Sequence, residues 1–306
     1  MPQPVDRRRV LLVARALAPF AGWLALLLIV APSLLRFQVV DLADELLDFH
    51  VTGMALLQQE LPFSLSTWNP WKLGGMSLFA DPPALGPWYP GVFLLALPID
   101  VALLVAYLLH LPLGALGMQR AARGLGADPP AAALAGAAWL TGTVCVASLV
   151  DGQVDMLAII ALLPWALAAW QEALRRAQQS VHAALAPAVG AALCLGAIGL
   201  GAHTRFAALA FGALGLHGAL GLLVDREGPP RLRRVILLGG ILALGGLIAA
   251  PWVLPAVLEV QGSRAPRPAD AEAMVGQALS LKGLYGLIFP RVLLLDERWY
   301  HVGPLL

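Results

Sequence analysis

Long apolar blocks limit what this chain can fold into more than any other feature of its sequence. They run for roughly 18 to 23 residues, the length that lets an α-helix cross a hydrocarbon core about 30 Å thick. Because that core holds no water, each block must satisfy its own backbone hydrogen bonds as a helix. The 306 residues are 59% hydrophobic and only 13% charged, too few polar groups for a soluble domain of this size. The sequence therefore predicts an all-α, polytopic transmembrane helix bundle that forms a single domain over residues 1–306.

Seven blocks are predicted to span the bilayer, and an eighth span would begin near Val302. The segment 91–99 is apolar but too short to span, so we expect it to be interfacial or re-entrant. The first block lacks a clear small-x-small cleavage site, so we interpret it as an uncleaved span and not as a signal peptide. The predicted spans are residues 17–35, 101–118, 130–149, 156–172, 183–202, 206–224 and 235–256.

Arginine residues precede the first predicted span and follow the second, fourth and sixth. Their placement orients the chain in the membrane. Basic residues accumulate in short loops on the cytoplasmic side of a membrane. With seven spans, four groups share one face: Arg7, Arg8, Arg9 and Arg15; Arg120 and Arg123; Arg175 and Arg176; and Arg226, Arg231, Arg233 and Arg234. That face and the N-terminus are therefore predicted to be cytoplasmic. The loops 36–100 and 257–301 are then extracytoplasmic, and the expected location is the cytoplasmic (inner) membrane of a bacterium.

Acidic residues form a stripe in the first outer loop, over residues 41–61. At 100° per residue, Asp41, Asp44, Glu45 and Asp48 occupy one arc and leucines occupy the neighbouring arc. We expect an amphipathic helix that lies along the membrane surface. One of its carboxylates could act as a general base or hold a divalent cation, or the stripe could be a solvated acidic face. The pattern alone leaves these interpretations open.

Tryptophan, proline and glycine characterise the rest of this loop, over residues 63–90. Trp68, Trp71 and Trp88 offer flat faces to sugars, although such rings also anchor proteins at membrane interfaces. Prolines and paired glycines fix an irregular but rigid path, which suits a loop folded over a cavity.

The loop contains four short motifs: Trp68-Asn69-Pro70, Gly74-Gly75, Asp81-Pro82 and Trp88-Tyr89-Pro90. They resemble the first outer loop of the bacterial YfhO-like membrane proteins, which belong to the GT-C glycosyltransferase superfamily. Asp44 lies where that family carries an Asp shortly after its first span. The similarity continues at Leu163-Pro164-Trp165, Gly201-Ala202-His203, Leu254-Pro255, Ser263-Arg264 and Tyr300-His301-Val302-Gly303. Members of the family are much longer, so the resemblance predicts that this chain is truncated.

The resemblance implies a GT-C-like bundle and an activity. Such enzymes transfer a sugar from a polyprenyl-phosphate donor to an extracytoplasmic acceptor, which is a cell-envelope polymer, a glycan or a protein. A carboxylate of the first outer loop accepts a proton from the acceptor, and cations stabilise the departing lipid phosphate. The resemblance makes Asp44 the expected catalytic base, with Asp41 and Asp48 as alternatives.

The substrate-binding candidates lie in the same loop and at the outer ends of the spans. Cationic side chains there suit a lipid phosphate, although each could instead anchor a headgroup or pair with an acid. The candidates are Trp68, Asn69, Trp71, Lys72, Asp81, Trp88, Tyr89, His203, Arg205 and Arg264. The acidic stripe does not decide whether a divalent cation takes part, and no other cofactor is expected.

Three polar residues lie in or beside the predicted spans. We interpret His110 as a hydrogen-bonded histidine packed against a neighbouring helix, with a functional role as the alternative. Asp151 and Asp155 are interpreted as markers of span ends, although they could border the same cavity as Asp44. Cys145 and Cys194 lie in apolar blocks and are expected to be packing residues.

Two other functions stay open, a lipid or solute transporter (including a flippase) and a non-catalytic membrane fragment. Charge is nearly absent inside the spans and concentrates outside them, which favours chemistry at the outer surface over transport. The sequence has no Walker A loop, HExxH or GxSxG motif. Orientation accounts for its basic residues, so nucleic acid is not an expected partner. The expected partners are the lipid-linked donor, membrane lipids and the acceptor.

Overall fold

A computed structural model gives the architecture of the chain. It describes residues 7–32, 34, 52–60, 68–69, 76–77, 89–150, 153–201, 204–224 and 228–262. These residues are almost entirely helical, which confirms the predicted all-α class. Two short antiparallel strands are the exception, β1 (Trp68–Asn69) and β2 (Met76–Ser77), in which Trp68 lies opposite Ser77.

The described residues include nine α-helices and two 3₁₀ helices whose residues are all described. In order, the α-helices are α1 (Arg7–Val30), α2 (Thr52–Glu60), α3 (Ile99–Gly124), α4 (Pro129–Leu140), α5 (Thr143–Val150), α6 (Leu157–Ala177), α7 (Val181–Gly201), α8 (Thr204–Val224) and α9 (Arg231–Gly262). The 3₁₀ helices are Pro90–Ala96, just before α3, and Val154–Met156, just before α6.

Six helical segments in the described ranges are long and apolar enough to cross a membrane. They are Ile99–Gly124, Pro129–Leu149, Val154–Ala177, Val181–Gly201, Phe206–Leu223 and Arg231–Leu258. Each overlaps one of the last six predicted spans, which confirms a multi-pass helical bundle. In the first predicted span, 17–35, α1 ends at Val30 and its apolar part, Leu17–Val30, is shorter than the other six. A seventh span therefore stays a prediction.

The predicted span 130–149 is not one continuous helix. It consists of α4 and α5, separated at Thr141 and Gly142. The Thr141 hydroxyl donates to the Ala137 carbonyl at 2.9 Å, and such a bond back to the preceding turn bends helices. Glycine at 142 further weakens the helix at this point.

Close approach of helix backbones holds the centre of the bundle together. Helix α6 packs against α3 and α7, and α7 packs against α9. A Cβ atom at Gly114 would overlap the Ile160 carbonyl oxygen of α6, and one at Gly199 would overlap Ala249 of α9. Small residues at such contacts are typical of helices that pack inside membranes.

Leucines on α8 face away from the rest of the bundle. Leu209, Leu216 and Leu223 are 62%, 62% and 75% exposed, and their spacing of seven residues places them along one side of the helix. Such a stripe is a liability in water but suits contact with lipid. It agrees with a helix that borders the bilayer.

One end of the bundle is rich in arginine. The described residues 120–128, 175–181 and 229–234 lie at one end, because Nη1 of Arg233 donates to the carbonyl of Ala177 at 3.1 Å and α3, α6, α8 and α9 surround a common cavity there. We call this the arginine end. Three of the four arginine groups that were predicted to share one face lie at this end. Their described members are Arg120, Arg123, Arg175, Arg176, Arg231, Arg233 and Arg234. The opposite end, formed by the described residues 89–99, 153–157 and 201, is called the loop end.

Candidate functional site

Most predicted site residues lie outside the residues that the structure describes. These are Asp41, Asp44, Asp48, Trp71, Lys72, Asp81, Trp88, His203 and Arg264. The backbone of Trp68 and Asn69 forms β1, and the backbone of Arg205 lies in the first turn of α8. Among the predicted residues, Tyr89 has side-chain contacts that the structure describes.

Tyr89, in the last of the four loop motifs, inserts its ring between helices at the loop end. Its side chain is 6% exposed, and its hydroxyl oxygen lies 2.7 Å from Nε2 of His110 in α3. The other side of the ring covers Gly201, the last residue of α7, where a Cβ atom would lie 2.5 Å from Cδ2 of Tyr89. Tyr89 thus joins the end of the loop 36–100 to both α3 and α7.

Both ring nitrogens of His110 are hydrogen-bonded. Nδ1 lies 2.7 Å from the backbone carbonyl oxygen of Ala106, which can only accept, so Nδ1 carries a proton. In the neutral ring, Nε2 then accepts the hydrogen bond that the Tyr89 hydroxyl donates. This geometry agrees with the interpretation of His110 as a packed, hydrogen-bonded histidine.

The phenol of Tyr89 is suited to its role as donor. Burial raises the pKa of Tyr89 above its ordinary value, and the nearby Cys194 raises it further. The hydroxyl therefore keeps its proton at any physiological pH, and the hydrogen bond to His110 does not depend on pH through this group.

Gln58 hydrogen-bonds helix α2 to the loop end. Nε2 of Gln58 donates to the carbonyl oxygens of Leu95 and Leu97, at 3.1 and 2.8 Å. Met54 and Leu57 of the same helix are buried. Helix α2 is the second half of the predicted amphipathic helix 41–61, whose first half lies outside the described residues. The sequence analysis did not select Gln58. Its amide directly follows Leu57 on the predicted amphipathic helix, and this position could have indicated a polar contact at the edge of the core.

The segment that follows Tyr89 is the 3₁₀ helix Pro90–Ala96, which is too short to span a bilayer. The interfacial or re-entrant position expected for residues 91–99 stays a prediction. Proline at its first position suits a helix start, because a proline has no N–H that would be left unbonded. The segment carries the loop from Tyr89 to the start of α3 at Ile99.

A second polar group at the loop end joins α3, α5 and α6. The Tyr107 hydroxyl donates to the carbonyl of Ser148 at 2.7 Å, and the Ser148 hydroxyl donates to the carbonyl of Gln153 at 2.9 Å. Asp155 is buried in the 3₁₀ helix Val154–Met156. These contacts secure the turn between α5 and α6, in agreement with the interpretation of Asp155 as a residue at a span end. Asp151 lies outside the described residues.

Neither a protein-family model nor a curated protein nor a solved structure matches this chain. The described residues also contain no group of three or more His, Cys, Asp or Glu side chains that could hold a metal ion. The acidic stripe at residues 41–48 is outside that search, so a divalent cation there stays a prediction. The contacts of Tyr89 can fix the end of the loop 36–100 relative to the end of α7.

Replacing Tyr89 with Phe should destabilise the protein while leaving the ring on Gly201. Nε2 of His110 would keep its burial and lose its donor, which costs about 1–3 kcal/mol for a buried polar atom. We expect a lower midpoint of thermal unfolding in detergent.

The double variant Tyr89→Phe/His110→Leu is the control for this prediction. It removes the donor and the acceptor together, so its loss should be smaller than the sum of the two single losses. Simple additivity of the two losses would show that the hydrogen bond contributes nothing to stability.

Proposed function

We propose that this chain is a membrane glycosyltransferase of the GT-C type, related to the YfhO-like proteins. It moves a sugar from a polyprenyl-phosphate donor to an extracytoplasmic acceptor, such as a cell-envelope polymer, a glycan or a protein. One observation carries the proposal: Tyr89 of the motif Trp88-Tyr89-Pro90 packs on Gly201 of the motif Gly201-Ala202-His203. Two motifs that are far apart in the sequence, both selected for their resemblance to one family, meet at the loop end.

This contact matters because sugar transfer needs unlike groups around one substrate. A base must reach the acceptor hydroxyl while a cation reaches the phosphate of the donor, and both must be held in position. The loop supplies carboxylates, and the start of α8 supplies Arg205 directly after His203 and Thr204. A rigid junction between the loop and α7 supports a shared site for these groups.

The proposed reaction is direct displacement at the anomeric carbon. Asp44 accepts the proton of the acceptor hydroxyl while the oxygen of that hydroxyl forms the new glycosidic bond. The bond between the sugar and the phosphate oxygen breaks in the same step. His203, Arg205, Arg264 and Lys72 are the candidates that stabilise the departing polyprenyl phosphate. Trp68, Trp71 and Trp88 offer ring faces to the sugar.

The arginines at one end of the bundle support the proposed orientation. Basic residues favour the cytoplasmic side, so the arginine end is assigned to the cytoplasm and the loop end to the outer surface. A polyprenyl tail lies in the bilayer and holds its phosphate at the membrane surface. The donor would therefore present its sugar at the loop end, where Tyr89 and Gly201 meet.

A transporter is the competing function, and the break between α4 and α5 is the feature that favours it. Transporters bind their substrates at discontinuous helices. Here the backbone N–H groups at the break are hydrogen-bonded within the chain. Thr141 N donates to the Ala137 carbonyl at 2.9 Å, and Gly142 N donates to the Trp139 carbonyl at 3.2 Å. The residues from Ala131 to Val150 include no charged side chain. The break therefore offers little to a charged substrate.

A transfer assay separates the two functions. Membranes that contain the protein would receive radiolabelled polyprenyl-phosphate sugars, and membranes without it would serve as the control. A transferase moves the label from the lipid fraction into a polymer, glycan or protein. A flippase changes the side of the bilayer on which the labelled lipid is found and leaves the label on the lipid. The second result would overturn the proposal.

The orientation predicts which side of the membrane reaches the loop. In a protein without its own cysteines (Cys145→Ala, Cys194→Ala), Ser64→Cys should react with an impermeant maleimide added outside right-side-out vesicles. The matched variant Ala127→Cys lies in the turn after α3 at the arginine end and should react only after the vesicles are opened. The reverse pattern would place the carboxylates in the cytoplasm and remove the basis of the enzyme assignment.

A further inference from the structure

A cavity of about 450 Å³ lies at the arginine end, between α3, α6, α8 and α9. It is at the opposite end of the bundle from Tyr89, so the proposed transfer reaction does not use it. A cavity of this size is large enough for a small ligand or part of a lipid. Its apolar wall consists of Leu125, Trp170, Leu174 and Leu220. Its polar groups are Gln171, His217 and Arg234.

Arg234 is held rigidly in the wall of this cavity. Its side chain is 3% exposed, its Nε donates to the carbonyl of Pro229 at 2.6 Å, and its Nη1 donates to the carbonyl of Gly221 at 3.1 Å. An arginine near a membrane surface normally extends its head toward water. This one is turned inward and fixed in place, so its guanidinium is already positioned for an anion that enters the cavity. The planar fork of a guanidinium matches the oxygens of a phosphate.

Gln171 and His217 add polar groups beside Arg234. Oε1 of Gln171 is buried without a hydrogen-bond partner among the described residues, and it lies against Gly124. A buried acceptor without a donor is destabilising. The terminal amide of Gln171 can rotate so that Oε1 meets a donor on a bound molecule. His217 lies one turn before Gly221 on the same face of α8, so its ring also borders the cavity.

The surroundings of the cavity carry positive charge. The described residues of the arginine end include seven arginines and one carboxylate, Asp128, and a second carboxylate, Glu172, lies just before it on α6. Glu172 accepts hydrogen bonds from Arg175 and Arg176, and Asp128 caps α4 by accepting from the backbone N of Ala131. Among the described residues the arginines outnumber the carboxylates here, and an excess of positive charge attracts anions, as basic pockets at the cytoplasmic side of membrane proteins attract lipid headgroups.

The rim of the cavity is apolar and faces outward. Leu125 is 70% exposed and Leu220 is 49% exposed, although both line the cavity. A ligand that fits both features has an anionic group for Arg234 and an apolar part for the leucines. A soluble anion has the first of these only.

We propose that this cavity binds the phosphate headgroup of an anionic phospholipid from the leaflet at the arginine end. The phosphate contacts Arg234, a hydroxyl or amine of the headgroup approaches Gln171, and an acyl chain leaves over Leu125 and Leu220. The proposal is independent of the transfer reaction, because it concerns the other end of the bundle.

A pair of glycine variants on α8 tests the location. No atom lies within 4 Å of a Cβ at either Gly221, which lines the cavity, or Gly212, which is nine residues earlier and therefore on the opposite face. Gly221→Phe should fill the cavity, and Gly212→Phe is the matched control in the same helix. The full chain in detergent is titrated with phosphatidylglycerol, and bound lipid is counted by native mass spectrometry. We expect Gly221→Phe to lose at least about tenfold in affinity and Gly212→Phe to stay within about twofold of the unchanged protein.

A second pair tests the charge. Arg234→Gln and Arg233→Gln remove the same charge from neighbouring residues, and only the first removes it from the cavity wall. Arg234→Gln should weaken phosphatidylglycerol binding about as strongly as Gly221→Phe, and Arg233→Gln much less. If Arg234→Gln does not fold, the glycine pair alone decides.

Three results would overturn the proposal. Equal losses in Gly221→Phe and Gly212→Phe would show that the lipid binds elsewhere. Equal binding of phosphatidylcholine, which carries no net charge, would show that the cavity does not select an anion. Displacement of the lipid by millimolar inorganic phosphate would show that a free phosphate ion suffices and that the apolar rim takes no part.

Discussion

Asp44→Asn should leave the helix bundle folded and lower sugar transfer by about 10²- to 10⁴-fold, the contribution of a positioned general base. Asparagine keeps the size and polarity of the side chain but cannot accept the proton of the acceptor hydroxyl. The loss should appear in the rate of label transfer at saturating donor, because binding of the lipid-linked sugar does not need the carboxylate to change protonation state. The measurement is the transfer assay with radiolabelled donor, with thermal unfolding in detergent as the test of folding.

Three matched variants make this prediction specific. Glu60→Gln removes one negative charge from the same predicted helix, 41–61, at its far end, and should cost little activity. Asp41→Asn and Asp48→Asn test the two alternative bases. If Asp44→Asn retains full transfer while Asp41→Asn or Asp48→Asn abolishes it, the base is the aspartate whose replacement abolishes transfer. Full transfer in each of Asp44→Asn, Asp41→Asn and Asp48→Asn would exclude these three aspartates as the catalytic base.

Hydropathy was enough to predict where the long helices of the bundle lie in the sequence. Six of the seven spans predicted by length overlap helices that are long and apolar enough to cross a membrane, because a bilayer sets that length physically. The length criterion underestimated their ends: α3 runs over Ile99–Gly124, whereas the prediction was 101–118. Polar residues such as Gln119, which accepts from Nε1 of Trp23 in α1, continue a helix beyond its apolar part. The break after α4 was also missed, because the hydroxyl of Thr141 acts through a local hydrogen bond that hydropathy does not record.

The site was less predictable, because its contacts join distant parts of the sequence. A motif pointed to Tyr89 and an ionisable group inside a span pointed to His110, but neither signal could pair them at 2.7 Å. Gly201 was selected for its motif, and its contact with the Tyr89 ring follows from how α7 packs on the bundle. The cavity around Gln171 and Arg234 carried no sequence signal at all, since four helices must assemble before it exists.

Gly201→Leu should disrupt the junction between Tyr89, at the end of the loop 36–100, and α7. A Cβ atom at residue 201 would lie 2.5 Å from Cδ2 of Tyr89, so the tyrosine ring must move and its hydroxyl must leave Nε2 of His110. Overpacking of this kind costs about 1–3 kcal/mol of stability. Displacement of the loop by about 1 Å would also lower transfer by about 10²-fold, because the base and the phosphate-binding cations would no longer face the same sugar.

The matched control is Gly190→Leu, on the same helix, where no atom lies within 4 Å of the added Cβ. It should change neither the unfolding midpoint nor the transfer rate to a comparable degree. Tyr89→Ala removes the ring that the new leucine strikes, so Gly201→Leu should cost about 0.5–3 kcal/mol less in that background than in the unchanged protein. Equal costs in both backgrounds would mean that Gly201 is small for a reason unrelated to Tyr89. The junction would then lose its role in positioning the loop, and the contact between the two motifs would no longer support a shared site.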